Sequence, residues 1–185
     1  MFADISGFTK ISEACAKLGS RGCEELAFCM NRYMEGLVKG ISKYGGDIIK
    51  FVGDAMIVVW PRDTEDKKDD IKTCARWAIQ SALDIQRELD GKKILKSVTP
   101  LSVKLGIGCG ECALLHVGGV FDWAEFFTIG DALSEALHCE GDALGGDIIV
   151  SSNVFKWVQG HFTGELLESG NYKIKSKIGE NVPSW

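Results

Sequence analysis

The stretch Gly45–Trp60 constrains the fold most, because it holds two strand-forming runs separated by a Gly-Asp pair. The runs are Asp47–Val52 and Ala55–Trp60, and the pair is Gly53-Asp54. Gly tolerates a positive φ and Asp tolerates turn geometry, so the pattern predicts a β-hairpin. Both runs are largely apolar, which predicts a hairpin in the core with one carboxylate at its tip. Taken alone, an Asp in this position is most often only a turn residue.

The N-terminal segment offers a second acid. Met1–Ala3 is typical of the end of a buried strand, Asp4 follows at its exit, and Ser6–Thr9 leads into a helical pattern. Loop N–H groups and a helix N-terminus attract anions, and an acid beside them can hold the accompanying cation. If the strands are neighbours, Asp4 and Asp54 meet at one edge of a sheet, and a divalent cation would relieve their repulsion. The alternative is a capping Asp and a turn Asp that never meet.

Composition excludes several classes of protein. With 185 residues, 45% hydrophobic and 25% charged, the chain has the size and balance of one globular domain. A net charge of −5 without a basic stripe argues against nucleic acid as a partner. No apolar run reaches the length of about 18 residues that suggests a membrane span. Because the first strand starts only three residues before Asp4, we expect residues 1–185 to be a single domain within a longer chain.

The seven cysteines lack the spacing of a disulfide framework. Most occupy apolar positions, which favours reduced cysteines in a cytoplasmic protein. Cys109 and Cys112 form a lone C-x-x-C pair, for which a structural role is more common than zinc binding or redox chemistry.

Hydrophobic periodicity predicts the remaining elements. The predicted helices are Gly22–Tyr44, Ile71–Leu89, Gly130–Glu140 and Ser152–Val158. The predicted strands are Leu101–Gly108, Cys112–Val117, Phe126–Ile129, Gly146–Val150 and a terminal hairpin of Phe162–Leu167 with Tyr172–Lys175. Arg62–Asp70 and Gly91–Pro100 are charged or basic links. This order predicts an α+β fold with one mostly antiparallel sheet and helices on one face.

Four segments, in this order, resemble the catalytic domain of the class III nucleotidyl cyclases: FADISGFT, GGDIIKFVGDAMIVVW, KLGIGCGECALLHVGG and EFFTIGDALSEALHCE. The likeness covers most of the chain and is strongest to the first catalytic half of the soluble adenylyl cyclases. It implies a ferredoxin-like core and a reaction that converts ATP, with GTP as the less favoured alternative, into the 3′,5′-cyclic monophosphate and pyrophosphate. It also implies two Mg²⁺ or Mn²⁺ ions, and an active site between two such domains.

The resemblance assigns roles to residues. Asp4, Asp54 and the Ile5 carbonyl would hold the metal ions, while Ser6, Gly7, Phe8 and Thr9 would cradle the phosphates. Lys104 matches a basic phosphate ligand of the family, although alone it reads as a solubility lysine on an edge strand. Lys50 and Thr128 would face a second, degenerate cleft, which binds bicarbonate in the soluble adenylyl cyclases. Leu137 stands where that cleft has an arginine, so we expect weak bicarbonate stimulation or none.

The chain departs from the family on the transition-state side of the site. Ser134 and His138 stand where the family has an Asn and an Arg, and neither replaces them chemically. We therefore expect a metal-binding half whose missing groups come from a second cyclase domain, in the same chain or another. The alternative is an idle cyclase-fold scaffold or regulatory subunit; a homodimeric cyclase is less favoured, because both of its clefts would lack these groups.

Overall fold

In the computed structural model, residues 1–61, 70–89, 101–180 and 182–185 are described, and they form nine strands and five helices. The elements are β1 Phe2–Ser6, α1 Phe8–Ala16, α2 Ser20–Ser42, β2 Asp47–Val52, β3 Ala55–Val59, α3 Ile71–Leu89, β4 Ser102–Ile107, β5 Ala113–Val120, β6 Trp123–Ile129, α4 Asp131–Gly141, β7 Ile148–Val150, α5 Ser152–Val158, β8 Phe162–Leu166 and β9 Tyr172–Lys177. The predicted helices and strands are confirmed, with bounds shifted by a few residues at most. The two predicted links fall almost wholly on residues 62–69 and 90–100, outside the described residues.

Seven strands make the main sheet, in the order β2-β3-β1-β4-β7-β9-β8. All neighbouring pairs are antiparallel except β4 with β7, which are parallel. The predicted α+β fold with a mostly antiparallel sheet is therefore confirmed. The strand β1 lies between β3 and β4, so the N-terminal segment pairs with the hairpin on one side and with the segment that carries Lys104 on the other.

The main core lies between one face of this sheet and helices α2, α3 and α5. It includes Val103, Leu105 and Ile107, the alternate residues of β4 that point to this face. Helix α4 packs on the opposite face: a Cβ built on Gly106 would lie 2.1 Å from the Ala136 carbonyl oxygen. The prediction that all helices cover one face is wrong, because glycine replaces a side chain on this face of β4 and lets a helix settle there.

The hairpin of β2 and β3 is confirmed, with Gly53 at φ 65° in its turn. Its predicted core position is right for β3, where Ala55, Met56 and Val58 are buried. It is wrong for β2, which is the edge strand of the sheet. Within the described residues β2 pairs only with β3, and its Phe51 and Val52 are 52% and 45% exposed.

Strands β5 and β6 form a separate two-stranded ribbon, here called the arm (residues 113–129). Its residues are exposed on both faces, and many are large and apolar. The turn at its tip is Phe121-Asp122, with φ angles of 54° and 58°, and Phe121 is 97% exposed. None of the helices in the described ranges is both long and apolar enough to cross a membrane.

Candidate active site

Asp4 lies in β1, Asp54 lies in the turn directly before β3, and β1 and β3 are paired strands. The main chains of Met1 and Val58 exchange two hydrogen bonds, of 2.7 and 2.9 Å. From there the register runs through Phe2 opposite Ile57 and Ala3 opposite Met56. Continuing the same register places Asp54 opposite Ile5, the residue that follows Asp4. Asp4 lies within β1 rather than at its exit, because the strand extends to Ser6 through its pairing with β4.

The Ile5 main chain has an orientation that suits a metal ligand. Carbonyl groups along a strand point alternately to its two neighbours. Because the Met1 carbonyl accepts a hydrogen bond from β3, the Ile5 carbonyl, four residues later, points to the same side. The paired part of β1 and β3 ends at Ala3, so this carbonyl points past it, towards the Asp54 end of β3. The Ile5 side chain is buried in the core and anchors the position.

Helix α1 begins directly after β1 and presents its N-terminus beside these acids. Its N-cap is Gly7, with φ 95°, a conformation that glycine adopts without strain. No side chain caps this end, and no acid lies in the first turn. The main-chain N–H groups of the first turn and the helix dipole therefore favour an anion here. Ser6 ends β1, and Phe8 and the exposed Thr9 are the first two residues of α1.

Lys104 is held by two carboxylates. It lies directly opposite Asp4 in the β1–β4 pairing, and its Nζ is 3.1 Å from Asp4 Oδ2. It also donates a short hydrogen bond to Glu140 Oε1 of α4. Burial opposes the charged form of Lys104, but the hydrogen bonds to Glu140 and Asp4 outweigh it and raise its pKa. The described ion pairs of Lys104 lie within the protein, so reaching a phosphate would require the side chain to leave one of them.

The donor set fits Mg²⁺ or Mn²⁺. Asp4, Asp54 and the Ile5 carbonyl offer only hard oxygen ligands, which these ions prefer. Within the described residues, no three His, Cys, Asp or Glu side chains gather into a group able to hold a metal ion. Two carboxylates and a carbonyl leave coordination positions that phosphate oxygens and water would have to fill. Cys109 and Cys112 are free thiols, one partly exposed and one exposed.

Lys50 contacts the arm. Its Nζ is 2.6 Å from Glu125 Oε2 and 5.0 Å from the centre of the Phe127 ring. These two residues of β6 share one face, because they are two positions apart. Thr128 belongs to the other face of β6, where the neighbouring Phe126 stacks on His116. The structure thus brings Lys50 to Glu125 rather than to Thr128, and a cleft shared by Lys50 and Thr128 stays a prediction.

The positions matched to the family's Asn and Arg lie on the outer side of α4. Ser134, Leu137 and His138 are exposed, whereas Ala136 and Cys139 are buried against the sheet. Sequence reasoning missed Glu140 and Glu125, the two acids that hold the lysines. Glu140 could have been found from its spacing, because it lies four residues after Ala136 on the buried side of the helix.

Comparison with known proteins identifies the family. Residues 1–183 match the family described as the adenylate and guanylate cyclase catalytic domain. The chain belongs to this family. The resemblance to class III nucleotidyl cyclases is therefore confirmed.

Curated relatives include adenylate cyclases from mammals and a cyanobacterium. The chain is 31% identical over 158 residues to adenylate cyclase type 10 of Rattus norvegicus, covering 84% of this chain and 10% of the relative. It is 29% identical over 159 residues to the adenylate cyclase of Anabaena cylindrica, covering 84% of this chain and 30% of the relative. The chain thus spans about a tenth of the mammalian relative and under a third of the cyanobacterial one.

Solved structures share the fold. The adenylyl cyclase CyaB from P. aeruginosa superposes with a TM-score of 0.74 at 23% identity, covering 95% of this chain and 91% of that one. The guanylate cyclase domain of RhGC from Catenaria anguillulae, solved in complex with GTP, gives 0.76 at 19% identity, with 96% and 94% covered. The same architecture therefore occurs in adenylyl and guanylyl cyclases.

Proposed function

We propose that this domain is the metal-binding half of a nucleotidyl cyclase that forms 3′,5′-cyclic AMP and pyrophosphate from ATP. The proposal is supported by the pairing of β1 with β3, whose register, extended by two residues, would bring Asp54 opposite Ile5, and by the N-terminus of α1, which begins directly after β1. A nucleoside triphosphate needs both an anion site and a cation site. This corner of the sheet offers the two together.

Each part of the corner has a task in the proposed reaction. Asp4, Asp54 and the Ile5 carbonyl hold divalent cations, and the first-turn N–H groups of α1 bind the phosphates. When bound, such cations neutralise the triphosphate and lower the pKa of the ribose 3′-hydroxyl that attacks the α-phosphate. Lys104 adds a positive charge for the leaving pyrophosphate once it turns away from Asp4.

A second cyclase domain completes the site. Ser is too short for the reach of Asn, and a largely neutral His cannot fork onto a phosphate as Arg does. Losing one such transition-state contact typically lowers the rate by about 10²–10³-fold. The arm supports a partner of this kind: large apolar side chains exposed on both faces of a ribbon are typical of a surface that another protein covers.

Adenylyl specificity is supported by the curated relatives that carry that name in a mammal and a cyanobacterium. The base-recognising groups belong to the partner domain in the proposed arrangement. The test therefore uses both nucleotides. The experiment is a cyclase assay of the full-length protein with ATP or GTP, each with Mg²⁺ or Mn²⁺.

The assay includes a matched pair of variants within one hairpin. Asp54→Ala should abolish cyclic nucleotide formation, because it removes a carboxylate that the ions need. Asp47→Ala should leave the rate within about twofold, because this exposed acid begins β2 at the opposite end of the hairpin. Equal activity of the two variants would refute the assignment of Asp54, and inactivity of the wild type with both nucleotides and both metals would favour the idle scaffold.

The isolated 185-residue chain should be nearly inactive, because Ser134 and His138 cannot supply the transition-state contacts. Adding a second cyclase domain with Asn and Arg at these positions should restore turnover. Wild-type rates from the isolated chain alone would contradict the half-site arrangement.

A further inference from the structure

Lys104, Asp4 and Glu140 form a charged cluster that the proposed reaction does not fully explain. The side chains are 24%, 24% and 16% exposed, so two carboxylates share one ammonium in a place with limited access to water. Charges in such a place interact more strongly than on the surface, because little solvent screens them. The Lys104 ammonium, 3.1 Å from Asp4 Oδ2, already pairs with a carboxylate that would be needed to hold a divalent cation.

The sequence places Glu140 there through two glycines. Residues 104, 106 and 108 of the β4 segment point to the face that α4 covers, and only position 104 carries a side chain. A Cβ on Gly106 would lie 2.4 Å from the Glu140 amide nitrogen and 2.9 Å from its Cβ. Helix α4 therefore packs directly on β4. The Glu140 carboxylate contacts the ammonium of Lys104, which lies two residues before Gly106. The close approach of the two backbones thus brings both side chains within reach of each other.

We propose that Glu140 is a positioning residue that draws Lys104 away from Asp4 and so sets how strongly Lys104 competes with a divalent cation. A lysine ammonium is positively charged at neutral pH and cannot share a carboxylate with a metal ion at close range without repulsion. Glu140 offers the ammonium a second carboxylate on the far side. Metal binding then requires Lys104 to shift towards Glu140 rather than to lose all its partners. The inference rests on the proposed metal site.

The test measures Mn²⁺ binding, without nucleotide and without turnover. Free Mn²⁺ has a six-line electron paramagnetic resonance signal that bound Mn²⁺ loses, so a titration gives the affinity. Glu140→Gln leaves Asp4 as the remaining carboxylate of the pair and should weaken Mn²⁺ binding by about three- to tenfold. Lys104→Met removes the competitor and should strengthen it. Glu165→Gln is the control, because it makes the same change in net charge as Glu140→Gln. Glu165 pairs with Lys175 on the exposed β8–β9 hairpin.

A double variant separates this role from a direct effect of the Glu140 charge on the ion. In the Lys104→Met background, Glu140→Gln should change Mn²⁺ affinity by less than about twofold, because the residue through which it acts is gone. An equal loss in both backgrounds would show a direct field effect and overturn the proposal, as would an unchanged affinity in Glu140→Gln alone. Glu140→Asp, which keeps the charge but shortens the reach, should weaken binding less than Glu140→Gln and serves if the latter does not fold.

Mn²⁺ binding by the wild type and by Asp54→Ala distinguishes a failure of the metal site from a failure of the positioning role of Glu140. If Asp54→Ala binds Mn²⁺ as well as the wild type does, the metal site and the role of Glu140 fail together. If the wild type binds Mn²⁺ through Asp54 but Glu140→Gln is unchanged, only the positioning role fails and the proposed function stands.

Discussion

Gly106→Ala would place a methyl group between β4 and α4. Its Cβ would lie 2.1 Å from the Ala136 carbonyl oxygen and 2.4 Å from the Glu140 amide nitrogen. Ordinary contact begins near 3.4 Å, so α4 would have to move away from the sheet by about 1 Å. Both atoms belong to the backbone, so no change of rotamer relieves the clash.

Overpacking of this kind costs about 1–3 kcal/mol of folding free energy. In a domain of this size, each kcal/mol corresponds to about 2–4 °C in Tm, so we expect a decrease of roughly 2–12 °C. The assay is thermal and urea denaturation followed by circular dichroism.

Gly141→Ala is the matched control. Gly141 is the last residue of α4, and a Cβ there meets no atom within 4 Å. Alanine is the better helix former by up to about 1 kcal/mol, so this variant should be unchanged or slightly more stable. If Gly106→Ala were as stable as Gly141→Ala, the close contact between β4 and α4 would not exist as described, and the route by which Glu140 reaches the sheet would fail with it.

Three further predictions concern charged groups. Asp84→Asn should lower the free energy of unfolding by about 1–3 kcal/mol at neutral pH in urea denaturation. Burial alone would raise the Asp84 pKa, but hydrogen bonds, led by that from Lys43 at 2.6 Å, outweigh it and lower the pKa. The stabilisation is therefore complete above the unfolded pKa of about 3.9 and is lost as the pH falls through the lower folded pKa; a constant difference from pH 7 to pH 2 would contradict it. Bicarbonate titrated against equal chloride at fixed pH should stimulate cyclic nucleotide formation by the full-length protein weakly or not at all, because Leu137 supplies no cation and Glu125 already pairs with Lys50; several-fold activation would refute this. Asp54→Ala should be as stable as the wild type without metal, or slightly more so, because a hairpin-tip acid has little packing to lose; a clear drop in Tm would assign it a structural role.

The hairpin and the two acids could be predicted from sequence because their signals are local. Gly53-Asp54 lies between two strand-forming runs, and the geometry of the turn requires such residues. Asp4 could be placed beside the N-terminus of a helix because a strand, an acid and a glycine-containing helix start follow one another within a few residues. The extent of β1 was misjudged, since the pairing of Asp4 with Lys104 is not visible locally.

The partners of the lysines could not be predicted in this way. Glu140 is 36 residues from Lys104 along the chain, and Glu125 is 75 residues from Lys50. Contacts at such separation depend on which face each element presents. The alternating glycines 106 and 108 indicate which face of β4 a helix can approach closely. Glycines near a strand end are also typical of turns, so this pattern has two interpretations. The exposed position of β2 was missed for a similar reason: an apolar strand at the edge of a sheet has the same sequence pattern as a strand in its centre.

The tip of the arm has a consequence for stability engineering. A two-residue turn in which both residues have a positive φ is normally occupied by Asn-Gly, and each ordinary side chain there costs about 1–2 kcal/mol. Phe121 and Asp122 occupy the turn nonetheless. Replacement of Phe121-Asp122 by Asn-Gly should therefore raise the Tm of the monomer. If the exposed ring meets a partner domain, the same replacement should weaken the association with that domain. A gain in Tm with unchanged association would contradict this. A search for more stable variants that measured only Tm would select this replacement early, and would remove from the molecule an aromatic side chain that is almost fully exposed to solvent.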